Sequence, residues 1–189
     1  KIETQFGRAA QLNFNNRQID LGAEDKVIMA LDNRSCAKLL NAEELPHNSI
    51  INIFYHTSQK IFLHGGASFI GVVNGLADWI FVNDDILAVT ISAADENIFN
   101  LQELARDIWK ELDRLRGVNS AFIPPFKAFK HKHATIAQDV LTNERRPDDA
   151  STAYPNIFIA GDWTMKNFPC CMETAVLSAK RAVKAALKA

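Results

Sequence analysis

Two short, uninterrupted apolar runs stand near opposite ends of this chain: Val27, Ile28, Met29, Ala30 and Leu31, introduced by Lys26, and Ile157, Phe158, Ile159 and Ala160. Runs of this length, bounded by turn residues, suit strands buried on both faces, as in a parallel sheet. The residues between them follow a different rule. Ile50 to His56, Lys60 to Leu63, Phe69 to Val73, Trp79 to Val82 and Ile86 to Ser92 read as strands separated by Ser, Gly, Asn and Asp. Gly65-Gly66 and Asn83-Asp84-Asp85 supply the turn signals, so this stretch predicts an antiparallel sheet. The expected fold class is α/β with an inserted α+β segment. Residues 1–41 and 150–189 form one domain, and residues 42–149 form another that interrupts it.

The remaining elements fit around this plan. Ile2, Thr4 and Phe6 alternate with polar neighbours, as do Leu12 and Phe14, and Asn15-Asn16 makes a hairpin turn before Arg17 to Leu21. Asp32, Asn33 and Ser35 provide caps for a short helix through Leu40, and Pro46 closes that unit. Leu101, Leu104, Ala105, Ile108, Leu112 and Leu115 share one helical face, with Asn100 and Glu103 in a capping-box pattern and Gly117 as the stop. Pro124-Pro125 breaks the chain before a strand over Phe126 to Ile136 that places His131 and His133 on one face. Residues 143–155 read as a polar loop. A last helix follows Pro169, with Ala175, Val176, Ala179, Ala182, Val183 and Ala186 on one face and Lys180, Arg181, Lys184 and Lys188 toward its C-terminus, where the helix dipole favours cations.

Composition removes several functions. The 21 basic and 22 acidic side chains give a formal charge of −1, so no global field draws the chain to nucleic acid or to an anionic membrane. The lysines at 127, 130 and 132 beside Phe126 and Phe129 read as a solvated strand edge. Cys36, Cys170 and Cys171 match no zinc spacing and read as free thiols of a reducing compartment. No carboxylate or cysteine beside His131 and His133 completes a metal set, and Ser178 has no nucleophile-elbow context. No apolar run reaches the roughly 18 residues that span a bilayer, and no signal peptide is visible. The first residue is Lys1 and the chain opens as a strand, which reads as a piece of a longer polypeptide.

The sharpest chemistry lies in Asn156 to Thr164, followed by Pro169 to Ala179. This is strand, tight glycine turn, carboxylate, then helix. Ligands of open α/β sheets sit at the carboxyl ends of strands. Gly161 permits close backbone approach, and Asp162 offers an acceptor for a sugar or polyol hydroxyl. The helix start offers unpaired N–H groups with partial positive charge. Together they suit a nucleotide-type cofactor. An ordinary strand–loop–helix with Asp162 as a turn residue is the equally available reading on spacing alone.

Ala160, Gly161, Asp162, Trp163, Thr164, Pro169 and Glu173 resemble the C-terminal flavin-binding motif of the FAD-dependent amine oxidase and phytoene desaturase superfamily, and within it the squalene-associated branch, the hydroxysqualene dehydroxylases. The resemblance extends to Lys26–Leu31 before the family's first turn, to Leu76–Phe81 with its Trp-x-Phe strand, and to Val89–Asp95 with its serine-containing strand. It also covers His133-Ala134-Thr135 and Arg145-Arg146-Pro147. It implies FAD bound by Gly161, Asp162, Trp163, Thr164, Pro169, Met172 and Glu173, with Ala9 near the N-terminus. The amide of Met172 would lie near the pyrimidine edge of the flavin. It further implies the C-terminal part of a Rossmann-like flavoenzyme, with residues 42–149 as a substrate-binding domain built on an antiparallel sheet. The substrate would be a lipid-like isoprenoid such as hydroxysqualene or a carotenoid precursor, handled in the cytoplasm with peripheral contact at the inner membrane. No catalytic residue and no metal site is assigned.

The chain departs from the family pattern at Asn167 to Cys171, where Gly-Leu-Pro-Ala-Thr is usual, and at Thr174 and Ala179, where glycine is usual. It contains no G-x-G-x-x-G fingerprint, so the motif that grips the pyrophosphate is expected in a missing N-terminal half. Ile51, Ile53, Trp79, Phe81, Val89 and Ile91 are candidates for either core or substrate lining. Two alternatives accompany this reading: a flavin amine oxidase, with Trp163 and Phe168 as aromatic cage residues, and a non-catalytic interaction domain that kept the fold.

Overall fold

The computed structural model describes residues 1–94 and 100–189. The chain divides into two compact units, residues 1–46 with 136–189, and residues 47–135.

The first unit begins with a three-stranded antiparallel meander, β1 (Ile2–Gln5), β2 (Arg8–Phe14) and β3 (Arg17–Asp20). The turn between β1 and β2 places Phe6 and Gly7 at φ of 51° and 75°. β2 and β3 join through Asn15-Asn16, with Phe14 opposite Arg17. β4 (Val27–Ala30) pairs in parallel with β10 (Ile157–Ala160), Val27 facing Ile157 and Ala30 facing Ala160. A parallel pair needs a crossover rather than a hairpin, and here the intervening chain contains the whole second unit.

β10 is buried on both faces. Ile157 and Ile159 join Ala9, Met29, Cys36, Leu45, Ile136 and Trp163 in one core, while Phe158 and Ala160 meet Ala150 and Ala182 in another. The second face is covered by α4 (Met172–Ala186), which buries Thr174, Ser178 and Ala182. This corrects the expected small-residue face: Ala182 is fully buried, but Val176, Ala179 and Val183 are exposed, because the helix meets β10 through the Thr174–Ser178–Ala182 row instead. β4 corrects the expectation of two-sided burial. Only Met29 is buried, and Ile28 is 38% exposed, because among the described residues β10 is the only strand paired with β4. α1 (Asn33–Leu40) follows, capped by Asp32, whose carboxylate accepts the Ser35 N–H. Residues 143–155 are not wholly a loop, since α3 (Val140–Arg145) precedes Arg146, capped by Asp139 through the Thr142 N–H.

The second unit is a five-stranded sheet in the order β6-β7-β8-β5-β9: β5 (His47–His56), β6 (Phe69–Gly71), β7 (Trp79–Asn83), β8 (Ile86–Ile91) and β9 (Phe126–Ile136). The predicted strand over Lys60 to Leu63 does not form, since no strand there finds a ladder partner. Alternation along each strand sends one set of side chains to each face. Ile51, Ile53, Tyr55, Ile80, Leu87 and Val89 face α2 (Leu101–Arg116) and pack on Leu104, Ala105, Ile108, Trp109 and Leu112. The Tyr55 hydroxyl donates to the Ala105 carbonyl at 2.6 Å, which fastens helix to sheet. Asn100 caps α2 through the Gln102 N–H rather than in a full capping box, and Gly117 ends it in the left-handed region.

The opposite face of this sheet carries Phe54, Phe69, Trp79, Phe81 and Phe129, each between 41% and 54% exposed. Phe69 contacts both Trp79 and Phe81, and Phe54 contacts Phe129 edge-on. Of the lining candidates, Ile51, Ile53 and Val89 are therefore core, Ile91 packs against that core, and Trp79 and Phe81 lie on the open aromatic face. The serine-containing strand ends within the described residues at Ile91, and Asp95 lies outside them.

Candidate functional site

The strand β10 ends at Ala160 and the chain turns at Gly161, whose φ is 155°. A Cβ here would meet Nε1 of Trp163 at 2.6 Å and its Cδ1 at 2.8 Å, so any larger residue would displace the indole. The Gly161 N–H donates to the Ser178 hydroxyl at 2.9 Å, which ties the turn to α4. The Thr164 N–H and hydroxyl both return to the Gly161 carbonyl, at 3.0 and 2.8 Å. One carboxylate oxygen of Asp162 accepts the Trp163 N–H at 2.9 Å. Its other oxygen has no hydrogen-bond partner among the described residues. The Trp163 indole donates to the Leu31 carbonyl at 2.9 Å, so the turn is pinned to the end of β4.

From the turn the chain runs to the start of α4. The Cys170 N–H donates to Gln138 Oε1 at 2.8 Å, and the Thr174 hydroxyl donates to the Pro169 carbonyl at 2.7 Å. Cys171 occupies the N-cap in extended backbone, without a side-chain capping hydrogen bond. A helix leaves its first N–H groups unpaired unless a cap or ligand takes them. The Met172 N–H has no partner among the described residues, and Met172 is 88% exposed. The Thr174 hydroxyl, 3.3 Å from the Cys171 sulfur, and the neighbouring backbone N–H groups hold the Cys171 thiol below its usual range. Burial pushes the Cys170 thiol up.

The structure thus brings Gly161, Asp162, Trp163 and Thr164 into one turn and places Pro169, Met172 and Glu173 at the following helix start. Trp163 and Thr164 are buried, and Trp163 belongs to the core. It has no open ring face to pair with the half-exposed Phe168 as an aromatic cage. Ala9 is fully buried, and its N–H and carbonyl are both bonded to the Asn156 side chain, at 2.9 and 2.8 Å. The Ser178 hydroxyl accepts from Gly161 and donates to the Ala175 carbonyl, a structural arrangement. His133 meets the ring of His47 on a neighbouring strand, centroids 5.4 Å apart, rather than pairing with His131.

Sequence reasoning missed the residues that shape the turn. Arg146 donates to the carbonyls of Asp162, Trp163 and Phe168, and Arg181 donates to that of Thr164. The only signal was the Arg145-Arg146-Pro147 segment, which local pattern presents as a solvated loop.

A buried strand, a glycine turn, a half-free carboxylate and an uncapped helix start define a strand–turn–helix site of the kind that holds a nucleotide-type cofactor. The groups present fit such a cofactor: the unpartnered N–H at the helix start for an acceptor oxygen or nitrogen, and one carboxylate oxygen for a hydroxyl. The family model described as flavin containing amine oxidoreductase matches residues 5–187, and the chain belongs to this family. It is 32% identical over 186 residues to a hydroxysqualene dehydroxylase of Rhodopseudomonas palustris, covering 96% of this chain and 43% of the relative. Relatives of the same description from Sinorhizobium fredii and Zymomonas mobilis are 32% and 33% identical over 181 residues, covering 94% of this chain and 42% of each. The chain therefore spans less than half the length of the curated relatives it matches. In fold it is similar to a solved structure from Exiguobacterium assigned as a protoporphyrinogen oxidase, with a TM-score of 0.65 and 14% identity, over 100% of this chain and 46% of that one.

Proposed function

We propose that this chain is the C-terminal part of an FAD-dependent oxidoreductase that acts on an isoprenoid, with hydroxysqualene as the first candidate and a carotenoid precursor as the second. The observation that carries the reading is the Gly161–Thr164 turn running into a helix whose first amide is unpartnered, in a chain of the flavin containing amine oxidoreductase family. Asp162 would accept a cofactor hydroxyl with its unpaired oxygen, and the Met172 N–H would donate to an acceptor on the ring edge. When bound, the flavin supplies the two-electron redox chemistry. This chain supplies orientation and electrostatics. In this reading, the unit of residues 1–46 and 136–189 contributes to a Rossmann-like FAD-binding domain, and the unit of residues 47–135 forms the substrate domain, so that residues 136–149, with Arg146, pass from the expected substrate segment to the cofactor unit.

A lipid-like substrate is supported by the open aromatic face of the second unit. Five aromatic side chains held half-exposed on one sheet face form an apolar platform suited to an extended hydrocarbon. No helix among the described residues is long and apolar enough to cross a membrane, and peripheral membrane contact belongs to the proposal through the substrate alone.

The test uses the full-length protein. It should purify with a flavin absorbance spectrum. Once reduced with dithionite, it should convert hydroxysqualene to squalene: the C–O bond breaks, two electrons and one proton form the new C–H bond, and a second proton leaves with the hydroxyl as water. A flavin-free protein, or a flavoprotein that turns over primary amines but no isoprenoid, would overturn the proposal.

A further inference from the structure

Among the described residues Arg146 is the only buried lysine or arginine, at 5% exposure. It forms no ion pair there. Its Nε donates to the Trp163 carbonyl at 3.0 Å, Nη1 to the Phe168 carbonyl at 2.8 Å and Nη2 to the Asp162 carbonyl at 2.7 Å. A buried charge without a counter-ion is costly, so packing alone does not account for an arginine at this position. A second guanidinium reaches the same segment from α4. Arg181 donates to the Thr164 carbonyl at 2.6 Å and, more loosely, to the Asp148 and Asp149 carbonyls at 3.2 and 3.3 Å.

The effect is geometrical and electrostatic together. The carbonyls of Asp162, Trp163, Thr164 and Phe168 are all drawn onto cations. A trans peptide is planar, with its C=O and N–H on opposite sides, so fixing these carbonyls fixes the course of the turn. Their negative ends are occupied, while the second Asp162 oxygen and the Met172 N–H at the helix start have no partner among the described residues. We propose that Arg146 is the positioning residue of this site: its fork sets the shape of the 161–168 turn so that Asp162 and the start of α4 can meet an anionic cofactor, with Arg181 as the second anchor. This rests on the flavin reading above. The planar fork is essential, because a lysine ammonium is a compact point charge and cannot span three carbonyls that approach different nitrogens.

The experiment compares Arg146→Met and Arg146→Lys in the full-length protein by two readouts. In the cofactor-stripped protein, amide hydrogen exchange over residues 161–168 should accelerate at least tenfold in both variants, while exchange in β5 and β8 stays native. FAD binding, measured by titration, should weaken at least tenfold in both, with lysine restoring little. A native exchange rate over 161–168 in Arg146→Met, or full restoration by lysine, would overturn the proposal. Should Arg146→Met not fold, Arg146→Gln takes its place in the same comparison. If the parent protein binds no FAD while exchange over 161–168 still accelerates in the variants, the flavin reading fails and the positioning role stands.

Discussion

Asp162 has two functions that substitution can separate. One oxygen accepts the Trp163 N–H at 2.9 Å, a bond that belongs to the turn. The other is unpartnered among the described residues and is the proposed acceptor for a cofactor hydroxyl. Asp162→Asn keeps an acceptor for Trp163 and removes the charge, whereas Asp162→Ala removes both. A hydrogen bond to a charged group contributes about 1.5–3 kcal/mol and a neutral one about 0.5–1.5 kcal/mol. Alanine should therefore weaken FAD binding by roughly ten- to a hundredfold, and asparagine by about fivefold. The fold should respond differently. Alanine leaves the amide of buried Trp163 without its acceptor, at a cost of about 1–3 kcal/mol, while asparagine should be nearly neutral. Calorimetric titration of FAD into the cofactor-stripped full-length protein gives the first quantity, and denaturant unfolding of the same samples gives the second. Native FAD affinity in both variants would refute the cofactor role. Equal loss of stability in both would refute the separation of the two oxygens.

The remaining expectations concern the start of α4. Thiolate is the nucleophile in alkylation, so labelling rises with pH through each thiol's pKa. Cys171, exposed and held low by Thr174, should react with iodoacetamide at the lowest pH, Cys170 later, and Cys36, whose burial pushes it up to about 11, last. Mass spectrometry after labelling across pH 6–9 checks this order, and equal labelling of Cys36 and Cys171 near neutrality would contradict it. Met172→Pro deletes the unpartnered amide at a first-turn position that tolerates proline, after a Cys171 already extended at φ −153° and ψ 171°. An N-terminal dipole contribution of about 0.3–2 kcal/mol corresponds to a two-electron flavin potential lowered by roughly 6–43 mV. An unmoved potential with native helicity would exclude this amide as a flavin contact.

Which features the sequence made legible follows from how far apart the interacting residues lie. The hairpin at Asn15-Asn16 and the amphipathic helix α2 were readable because alternation, helical spacing and caps are local signals. α3 escaped because its six residues carry only one buried side chain, Thr142, too few to show a helical period. The one-sided burial of β4 was invisible for a different reason. An apolar run records the composition of a strand and not which of its neighbours are present.

The site divides along the same line. The turn and helix start were legible as a contiguous motif, but the roles inside that motif were not. Trp163 looks like a ligand residue in the sequence, yet its indole is bonded to Leu31, 132 positions away. Ala9 bonds to Asn156 across 147 positions, and that side chain has no local pattern to mark it. Arg146 sits in a charged, proline-containing stretch that composition assigns to solvent. Its burial depends on carbonyls 16 to 22 positions downstream, and main-chain acceptors carry no side-chain signature. A motif read from one sequence can therefore place a cofactor site, while the residues that hold it in shape become visible only when the backbone groups they bind are placed in space.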